Sequence, residues 1–332
     1  MLELKNVTKI YGSFMALDDL SLTIDDGALF GFVGPNGAGK TTALRIMAGL
    51  LRPDSGEVVF GASPANGDPA STELPSDRAA GQTGRLIQNT GYIPDTLGIY
   101  RNLKVSEYME FFAACSGLEG LEARKRIETL LEHVGLSDRD DFYVEALSRG
   151  MKQRLSLARA LIGDPPVLLM DEPTSGLDPG TRYEFKRLIS SLSEAGKTIV
   201  ISSHILSDIS EICTDVAIID RGKLVISGRL SDVMNRVTAG NPLVISVDKN
   251  VTGAVQILRN DNRVESVTVK GNDILISFGG LPEEESGLLK KLVDGGIRVR
   301  SFARQKGSLE SIFLQLTGGQ DRIVSSSDDY DG

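Results

Sequence analysis

The spacing of apolar and polar residues predicts a different structure for each part of the chain. Residues 1–30 alternate between the two kinds of residue in "LELKNVTKIYG" and "LDDLSLTIDDG", as half-buried strands do. The runs "ALFGFVG" and "VLLM" are continuously apolar and have the length of strands buried on both faces. In "VSEYMEFFAACSG" and "EARKRIETLLEHVGL" the apolar residues recur at helical spacing instead. The pattern therefore predicts strands first, helices in the middle, and a second buried strand after them.

The last third of the chain has a regular alternation of its own. A short helical pattern, "LSDVMNRVT", leads to "AGNP", and we expect a linker over 229–242. Over 243–318 the predicted elements follow the order β-α-β-β-α-β and then a final helix, "SLESIFLQLTGG", which resembles a small ferredoxin-like α+β domain. The polar, acidic residues 319–332 are predicted to be disordered. No chemistry is visible in this domain, so regulation, dimer contact and simple packing all stay open.

One internal segment breaks the pattern. Residues 61–85, "GASPANGDPASTELPSDRAAGQTGR", are rich in Pro, Gly, Ala, Ser and Asp and contain almost no large apolar residue. This composition indicates an exposed insertion or a mobile loop.

Composition and charge narrow the class of protein. A chain of 332 residues has room for two domains, and its net charge of −9 argues against a nucleic-acid partner held by a broad basic surface. Two cysteines, Cys115 and Cys213, indicate a reducing compartment and not a disulfide framework. No run reaches the roughly 18 apolar residues that span a bilayer, and the charged start does not resemble a signal peptide. We expect a cytoplasmic chain whose membrane role, if any, comes through a partner.

The clearest chemical signal is a glycine-rich loop. Gly34, Gly39, Lys40 and Thr41 fit the spacing G-x-x-x-x-G-K-[ST], with a strand-like run before the loop and a helical pattern after it. Glycines let backbone N–H groups wrap a polyphosphate, and the helix beginning near Lys40 adds the positive end of its dipole. Lys40 supplies a point charge to the terminal phosphates, and the Thr41 hydroxyl can ligate Mg²⁺. The alternative, a flexible turn with an incidental lysine, does not account for both flanks.

Two acids end the second buried run, in "PPVLLMDEPTSGLD". Adjacent carboxylates at the end of an apolar strand are costly to bury without partners, and Mg²⁺ and a catalytic water are natural partners. Asp171 would hold the metal, and Glu172 would orient and polarise the water that attacks the γ-phosphate. The alternative is a pair of helix-capping acids before a turn, which the glycine loop makes less favoured.

From these motifs onward the chain resembles the ATP-binding cassette family, the nucleotide-hydrolysing subunits of ABC transporters. "LSRGMKQRLSLARAL" resembles the signature segment, "PPVLLMDEP" the Walker B strand, "SGLD" the D-loop, "ISSHIL" the switch-histidine segment and "GYIPD" the Q-loop, in the family's order. The resemblance implies an α/β fold: a P-loop NTPase cassette over 1–228, with a mixed core sheet, an antiparallel β-subdomain, and an α-helical subdomain over 96–160.

The resemblance also implies roles for individual residues. Tyr11 would stack on adenine, His204 would contact the γ-phosphate, and Asp178 would join two sites across a dimer. Ser148 and Gly150 would face the γ-phosphate bound by a second cassette, so that neither site is complete in one chain. The residues implied to bind nucleotide are Tyr11, Asn36, Gly37, Ala38, Gly39, Lys40, Thr41, Thr42, Ser148, Gly150 and Asp178; those implied to bind Mg²⁺ are Thr41, Asp95 and Asp171. Taken singly, Tyr11 could be a surface tyrosine, His204 a strand-end histidine and Ser148 a helix N-cap.

Two positions depart from the family pattern. The usual signature L-S-G-G-Q reads Leu147-Ser148-Arg149-Gly150-Met151 here, which resembles variants of exporter-type cassettes. Asp95 stands where the Q-loop usually has glutamine; it is shorter and charged, and it can still contact Mg²⁺ or a water. After it, Leu97, Ile99 and Tyr100 either line the groove for a coupling helix of a membrane subunit or cover the helical subdomain's own core.

We therefore expect an ATPase that dimerises on ATP and powers a membrane exporter from the cytoplasmic face of the membrane. Its implied partners are a transmembrane permease subunit and a second nucleotide-binding subunit, identical or related, without nucleic acid; its implied cofactors are ATP and Mg²⁺. The alternative is a non-transport ATPase of the same family that acts on a ribosome or DNA complex. An importer motor is disfavoured by the signature variant, the Q-loop and the C-terminal domain.

Overall fold

A computed structural model describes residues 1–61, 84, 86–96, 98, 102–238 and 242–304. The chain divides into two compact units, Met1–Leu230 and Ser231–Gly332. Most of the predicted insertion, namely residues 62–83 and 85, lies outside the described residues, as do Leu97, Ile99, Tyr100, the helix predicted after residue 305 and the tail 319–332. None of the described helices is long and apolar enough to cross a membrane.

The structure gives the bounds of nine strands and six α-helices in the first unit, and a seventh helix begins at its last residue, Leu230. The strands are β1 (Leu2–Tyr11), β2 (Phe14–Ile24), β3 (Leu29–Val33), β4 (Ser55–Phe60), β5 (Thr90–Ile93), β6 (Val167–Asp171), β7 (Thr198–Ser203), β8 (Asp215–Asp220) and β9 (Lys223–Arg229). The helices are α1 (Lys40–Met47), α2 (Val105–Cys115), α3 (Gly120–His133), α4 (Arg149–Ala160), α5 (Pro179–Glu194), α6 (Leu206–Ile212) and α7 (Leu230–Thr238), the last of which crosses the unit boundary. Helix α7 occupies most of the segment that the sequence assigns to a linker, 229–242.

A six-stranded mixed sheet forms the core of this unit, in the order β5-β6-β7-β3-β8-β9. The first five strands are parallel, and β9 is an antiparallel edge strand. Every residue of β3, β6 and β7 is buried, because central strands of such a sheet are covered on both faces. The carboxyl ends of these parallel strands lie at one edge of the sheet, where ligands of open α/β sheets bind. The continuously apolar runs in the sequence are these buried strands.

A second, antiparallel sheet has the order β2-β1-β4 and confirms the predicted β-subdomain. Leu2, Leu4 and Val7 of β1 alternate with more exposed neighbours and join the core shared with α1. This packing places the β1–β2 hairpin beside the glycine-rich loop.

Helices α2, α3 and α4 form the predicted helical region. Arg159 of α4 ties it to the core sheet: its Nη2 donates to the Tyr92 carbonyl at 3.0 Å, and its guanidinium carbon lies 5.2 Å from the Phe112 ring centre. The same strand–helix contact orients α4, whose N-terminus carries the signature residues.

The second unit contains four strands and two described helices after α7: β10 (Leu243–Val247), α8 (Val251–Arg259), β11 (Val264–Lys270), β12 (Asp273–Phe278), α9 (Glu285–Asp294) and β13 (Val299–Arg304). The antiparallel sheet order β11-β12-β10-β13 is that of a ferredoxin-like fold and confirms the expectation. Alternate residues of β10 and β12, such as Ile245 and Ile276, are fully buried against α8 and α9.

Candidate active site

The predicted nucleotide-binding residues of the first half of the chain converge on one cleft of about 210 Å³. The cleft lies between the β1–β2 hairpin, the loop after β3, the start of α1 and the carboxyl end of β6. Ala38 is buried behind the loop, at 2% exposure. The lining residues are Tyr11, Phe14, Ala16, Pro35, Asn36, Gly37, Gly39, Lys40, Thr41, Thr42 and Glu172.

Lys40 is the buried cation of the cleft. Its Nζ donates to the carbonyl of Gly34 at 2.7 Å and to that of Pro35 at 3.2 Å, and it lies 3.4 Å from Glu172 Oε1. The side chain is only 6% exposed, so its charge acts in a medium of lower effective dielectric than water. An ammonium held in this way attracts a polyphosphate strongly.

Gly39 explains why the loop needs glycine where the helix begins. It is the N-cap of α1 with φ of +106°, and a Cβ built on it would lie 2.5 Å from the carbonyl oxygen of Ala16. As the N-cap of α1, Gly39 has no side chain that could accept a hydrogen bond from the first turn, so the N–H groups there and the positive end of the helix dipole can serve an anion. Gly37, at φ of +82°, has open space where its Cβ would point.

The two acids after β6 are held by one serine of the neighbouring strand. Ser202 Oγ donates to Asp171 Oδ1 at 2.7 Å and accepts from the backbone N–H of Glu172 at 2.9 Å. Asp171 is 2% exposed and Ser202 is fully buried. Sequence reasoning missed Ser202, although two serines at the end of a buried strand, in "VISSH", were a signal that could have found it.

Glu172 adopts a left-handed backbone conformation, with φ of +49°. For a residue with a Cβ this costs on the order of 1 kcal/mol and persists only when the surrounding structure enforces it. The two contacts from its N–H to Ser202, to the hydroxyl and to the carbonyl oxygen at 3.2 Å, provide that enforcement. Asp171 and Glu172 are therefore not helix caps, and the strained backbone of Glu172 indicates a functional position.

His204 meets Glu172 from the end of β7. Its Nδ1 makes a close contact with Glu172 Oε2, while Oε1 of the same carboxylate faces Lys40. Glu172 is 14% exposed and His204 is 44% exposed, so the imidazole stands at the solvent side of the carboxylate. This geometry gives one carboxylate two cationic or proton-donating neighbours at the mouth of the cleft.

Tyr92 lies behind the acids on β5. Burial, together with the negative charge of Asp171, raises the pKa of its hydroxyl above the ordinary value. Tyr92 therefore stays neutral and adds no charge next to Asp171.

Two aromatic residues form the outer wall of the cleft. Tyr11 and Phe14 are paired across the β1–β2 hairpin, and they are 46% and 57% exposed. The Nζ of Lys9 lies 5.8 Å from the Tyr11 ring centre. Tyr11 is thus a surface tyrosine that also lines the cleft. Phe14 was not identified from the sequence, although its position one short turn after Tyr11 indicated it.

The predicted residues of the signature and D-loop segments do not line this cleft. Ser148 is the N-cap of α4, and its Oγ accepts from the N–H of Met151 at 3.3 Å. Asp178 is the N-cap of α5, and hydrogen bonds from the Thr181 hydroxyl and N–H hold its pKa below the ordinary value.

Close contacts join these two segments within the chain. A Cβ on Gly150 would lie 2.4 Å from Thr181 Cγ2, and one on Gly176, whose φ is +65°, would lie 2.6 Å from Arg149 Cζ. The unusual Arg149 of the signature therefore packs directly on the D-loop of its own chain. Gly176 leaves the space that this guanidinium occupies.

Asp95 is exposed in the bend after β5 and is not among the residues that line the cleft. Among the described residues, no group of three or more His, Cys, Asp and Glu side chains forms a candidate metal cage. Mg²⁺ does not require such a cage, because it commonly takes one or two protein oxygen ligands together with substrate phosphates. The hydroxyl of Thr41 and the carboxylate of Asp171 are donors of this kind, so these residues fit Mg²⁺ bound with a nucleotide.

Comparison with known proteins identifies the family of this chain and several of its relatives. Residues 17–175 match the family described as "ABC transporter". The chain is 30% identical over 320 residues to the linearmycin resistance ATP-binding protein LnrL of Bacillus subtilis (strain 168), covering 96% of this chain and 98% of that protein. It is 32% identical over 325 residues to the Nod factor export ATP-binding protein I of Cupriavidus metallidurans, covering 97% and 99%.

A solved structure is also similar to a large part of the chain. The dimeric post-hydrolysis state of the ATP-binding cassette MJ0796, bound to ADP and Pi, is 29% identical with a TM-score of 0.59. The match covers 69% of this chain and 99% of that one.

Proposed function

The chain belongs to the ABC transporter family of ATP-binding proteins, and from this premise we propose that it is the ATP-hydrolysing motor subunit of a membrane exporter. One observation carries the proposal: the phosphate-binding loop, the buried Lys40 and the strained Glu172 with His204 on its outer oxygen all meet at one cleft. Two relatives that match almost the whole chain are named as ATP-binding proteins of a resistance system and an export system.

Different residues of the cleft are suited to bind different parts of ATP. Tyr11 and Phe14 offer ring faces to the base, worth about 1 kcal/mol each. Residues 36–42 offer backbone N–H groups and the helix dipole to the phosphates, and Lys40 offers its charge to the terminal ones. Thr41 and Asp171 would hold Mg²⁺, which would neutralise phosphate charge. Asp95 is exposed in the bend after β5 and does not line the cleft, so we give it no part in this step.

Hydrolysis requires a base next to the terminal phosphate. We infer this role for Glu172, because its Oε1 faces the lysine that would hold the phosphates. We assign to it the orientation of the attacking water and the acceptance of its proton. His204, in contact with Oε2, holds the carboxylate in place and offers a donor to the γ-phosphate.

The signature residues need a second chain to reach a nucleotide. Ser148, Gly150 and Asp178 lie outside the cleft of their own chain, at the N-termini of α4 and α5. A second cassette, identical or related, would present its own copies of these residues to the ATP bound here. ATP then favours the closed pair, and hydrolysis reopens it.

We assign the mechanical output to a transmembrane permease subunit, because the chain matches the family described as "ABC transporter" and its relatives include ATP-binding proteins named for resistance and export. We place the motor at the cytoplasmic face, where ATP is available, in an export system like those for which the relatives are named. Nothing in the described structure favours a role on a ribosome or DNA.

A pair of substitutions tests the assignment. Glu172→Gln is expected to lower ATP turnover about a thousandfold while ATP binding and dimer formation persist. Lys40→Ala is expected to weaken ATP binding about fiftyfold. The exposed Glu194 and Lys223 supply the controls Glu194→Gln and Lys223→Ala, which should change neither quantity. Native turnover in Glu172→Gln, or native ATP affinity in Lys40→Ala, would refute the corresponding role.

A further inference from the structure

A buried ionic network lies next to the site and takes no direct part in it. Asp208 on α6 is 5% exposed, and its two carboxylate oxygens have different partners. Oδ2 accepts from the Thr174 hydroxyl at 2.8 Å, and Oδ1 accepts from Lys186 Nζ at 3.2 Å. Thr174 and Lys186 are themselves buried, at 4% and 7% exposure. Lys186 also makes a close ion pair with Glu211, one turn further along α6.

The sequence positions of these residues show which segments of the site the network connects. Thr174 lies two residues after Glu172, in the segment that leads to the D-loop. Asp208 lies four residues after His204, at the start of the helix that follows it. Lys186 lies on α5, which begins at the D-loop residue Asp178. One carboxylate therefore connects the segments that carry the two residues in contact at the cleft.

Arg182 of α5 adds a second link to the same place. Its Nη2 donates to the carbonyl of Leu177, within the D-loop, at 3.3 Å. Its Nε is buried and lies 4.0 Å from Asp208 Oδ2. Arg182 thus links α5 both to the D-loop backbone and, near Asp208, to the helix after His204.

Buried ion pairs of this kind keep the segments that carry them in a fixed arrangement. Removing one partner of a buried ion pair leaves the other uncompensated, so the groups stay together in a single arrangement. The sequence separation of 34 residues between Thr174 and Asp208 means that no local hydrogen bond could do the same.

We propose that Asp208 is a positioning residue for ATP hydrolysis, which fixes the distance between the Glu172–Asp178 segment and His204 by holding Thr174 and Lys186 on its two oxygens. The proposal rests on the proposed function, because it concerns the same hydrolytic site. Asp208 touches neither nucleotide nor the reacting water; it acts through the placement of Glu172 and His204. A displacement of such groups by about 1 Å can cost up to a hundredfold in rate.

The first test is Asp208→Asn in the full-length chain, with ATP turnover and MgATP affinity measured separately. We expect kcat to fall about tenfold while the Kd for MgATP stays within about twofold. Glu211→Gln is the matched control, since Glu211 also contacts Lys186 but is half-exposed and does not reach Thr174. It should keep kcat within about twofold of the wild type. An Asp208→Asn kcat within twofold of the wild type, or an equal loss in Glu211→Gln, would overturn the proposal.

Thr174→Val supplies a second variant that removes one hydroxyl and keeps the side-chain shape. It should lower kcat in the same direction as Asp208→Asn, and the double variant should lose less than the product of the single losses, because both remove the same link. Multiplicative losses would overturn the link. If Asp208→Asn fails to fold, as judged by circular dichroism, an unchanged kcat in Thr174→Val overturns the proposal by itself. Absence of ATP turnover in the wild type would instead refute the proposed function.

Discussion

The two units of the chain differ in the number and the position of their buried polar side chains. Of the described residues, ten buried polar or charged side chains lie in the first unit and one, Asp261, lies in the second. Several of the ten lie at or just beyond the carboxyl ends of the core strands, among them Asp171, Ser202 and Thr174. The second unit has a comparable sheet and helices over an otherwise apolar core.

Asp261 shows what a purely structural buried charge looks like. Its oxygens accept from Arg263 Nε at 2.8 Å, from Arg263 Nη2 at 2.7 Å and from Lys291 Nζ at 2.9 Å. Both oxygens are thus neutralised within the unit, and they tie the loop before β11 to α9. Lys40 and Glu172 of the first unit line an open cleft instead, so they can exchange partners for a ligand. The contrast separates residues that hold a fold from residues that can carry chemistry.

Among the variants that test this comparison of the two units, we expect the largest effect from Ser202→Ala in the first unit. Loss of its hydroxyl removes the donor to Asp171 and one of the two acceptors that enforce the strained backbone of Glu172. We expect ATP turnover to fall about thirtyfold, a loss typical of groups that orient active-site ligands. The unfolding free energy should fall by only about 1 kcal/mol. Steady-state turnover and chemical denaturation measure the two quantities.

Ser156→Ala is the control for this variant. Ser156 is also fully buried in the first unit, but its Oγ has no hydrogen-bond partner among the described residues. Its removal should leave turnover unchanged and stability equal or slightly higher. If Ser202→Ala behaved like Ser156→Ala, the polar groups at the strand ends would not differ from other buried ones.

Asp261→Asn should have the opposite effect from Ser202→Ala. The stability of the second unit should fall, and ATP turnover should stay at the wild-type rate. Hydrogen bonds from Arg263, followed by one from Lys291, hold the pKa of Asp261 well below its ordinary value in the folded chain. The stabilisation is therefore complete above the unfolded pKa of about 4 and is lost as pH falls through the folded pKa. We expect Asp261→Asn to lower the melting temperature of the second unit by about 5 °C at neutral pH.

Calorimetry of the full chain as a function of pH measures this effect. The difference between the wild type and Asp261→Asn should shrink as the solution is acidified below about pH 4. A difference that grew on acidification, or a loss of turnover at a temperature where the second unit is folded, would contradict the structural role of Asp261.

The smallest expected effect concerns the aromatic wall of the cleft. Tyr11→Ala and Phe14→Ala should each weaken ATP binding about fivefold, because each removes one ring face from the base. Tyr183, which is 57% exposed on α5 and does not line the cleft, supplies the control Tyr183→Ala. Equal affinities of Phe14→Ala and Tyr183→Ala, measured by calorimetric titration, would remove Phe14 from the site.

Much of the fold followed from local patterns. Continuous apolar runs predicted β3 and β6, and alternation predicted β1, β2 and the strands of the second unit, because burial on one or two faces imposes those periods. The glycine loop and Lys40 were identified because their function depends on residues within ten positions of one another. Phe14 and Ser202 were missed, since a phenylalanine after a short turn and a serine pair at a strand end are weak signals until the fold brings them to the cleft. The segments 62–83 and 305–332, where an insertion, a helix and a tail were predicted, lie outside the described residues.

By itself the sequence determined which chemistry the chain could hold: a strand, a phosphate loop, a helix, and two acids at the end of a second strand. It could do so because each of these depends on backbone geometry over a few consecutive residues. Only the tertiary structure decided that Ser202 would hold both acids, that Glu172 would stand between Lys40 and His204, and that Asp208 would reach Thr174. These contacts join residues about 30 or more positions apart. They exist because the parallel sheet places β6 beside β7 and β7 beside β3, with the carboxyl ends of the three strands together.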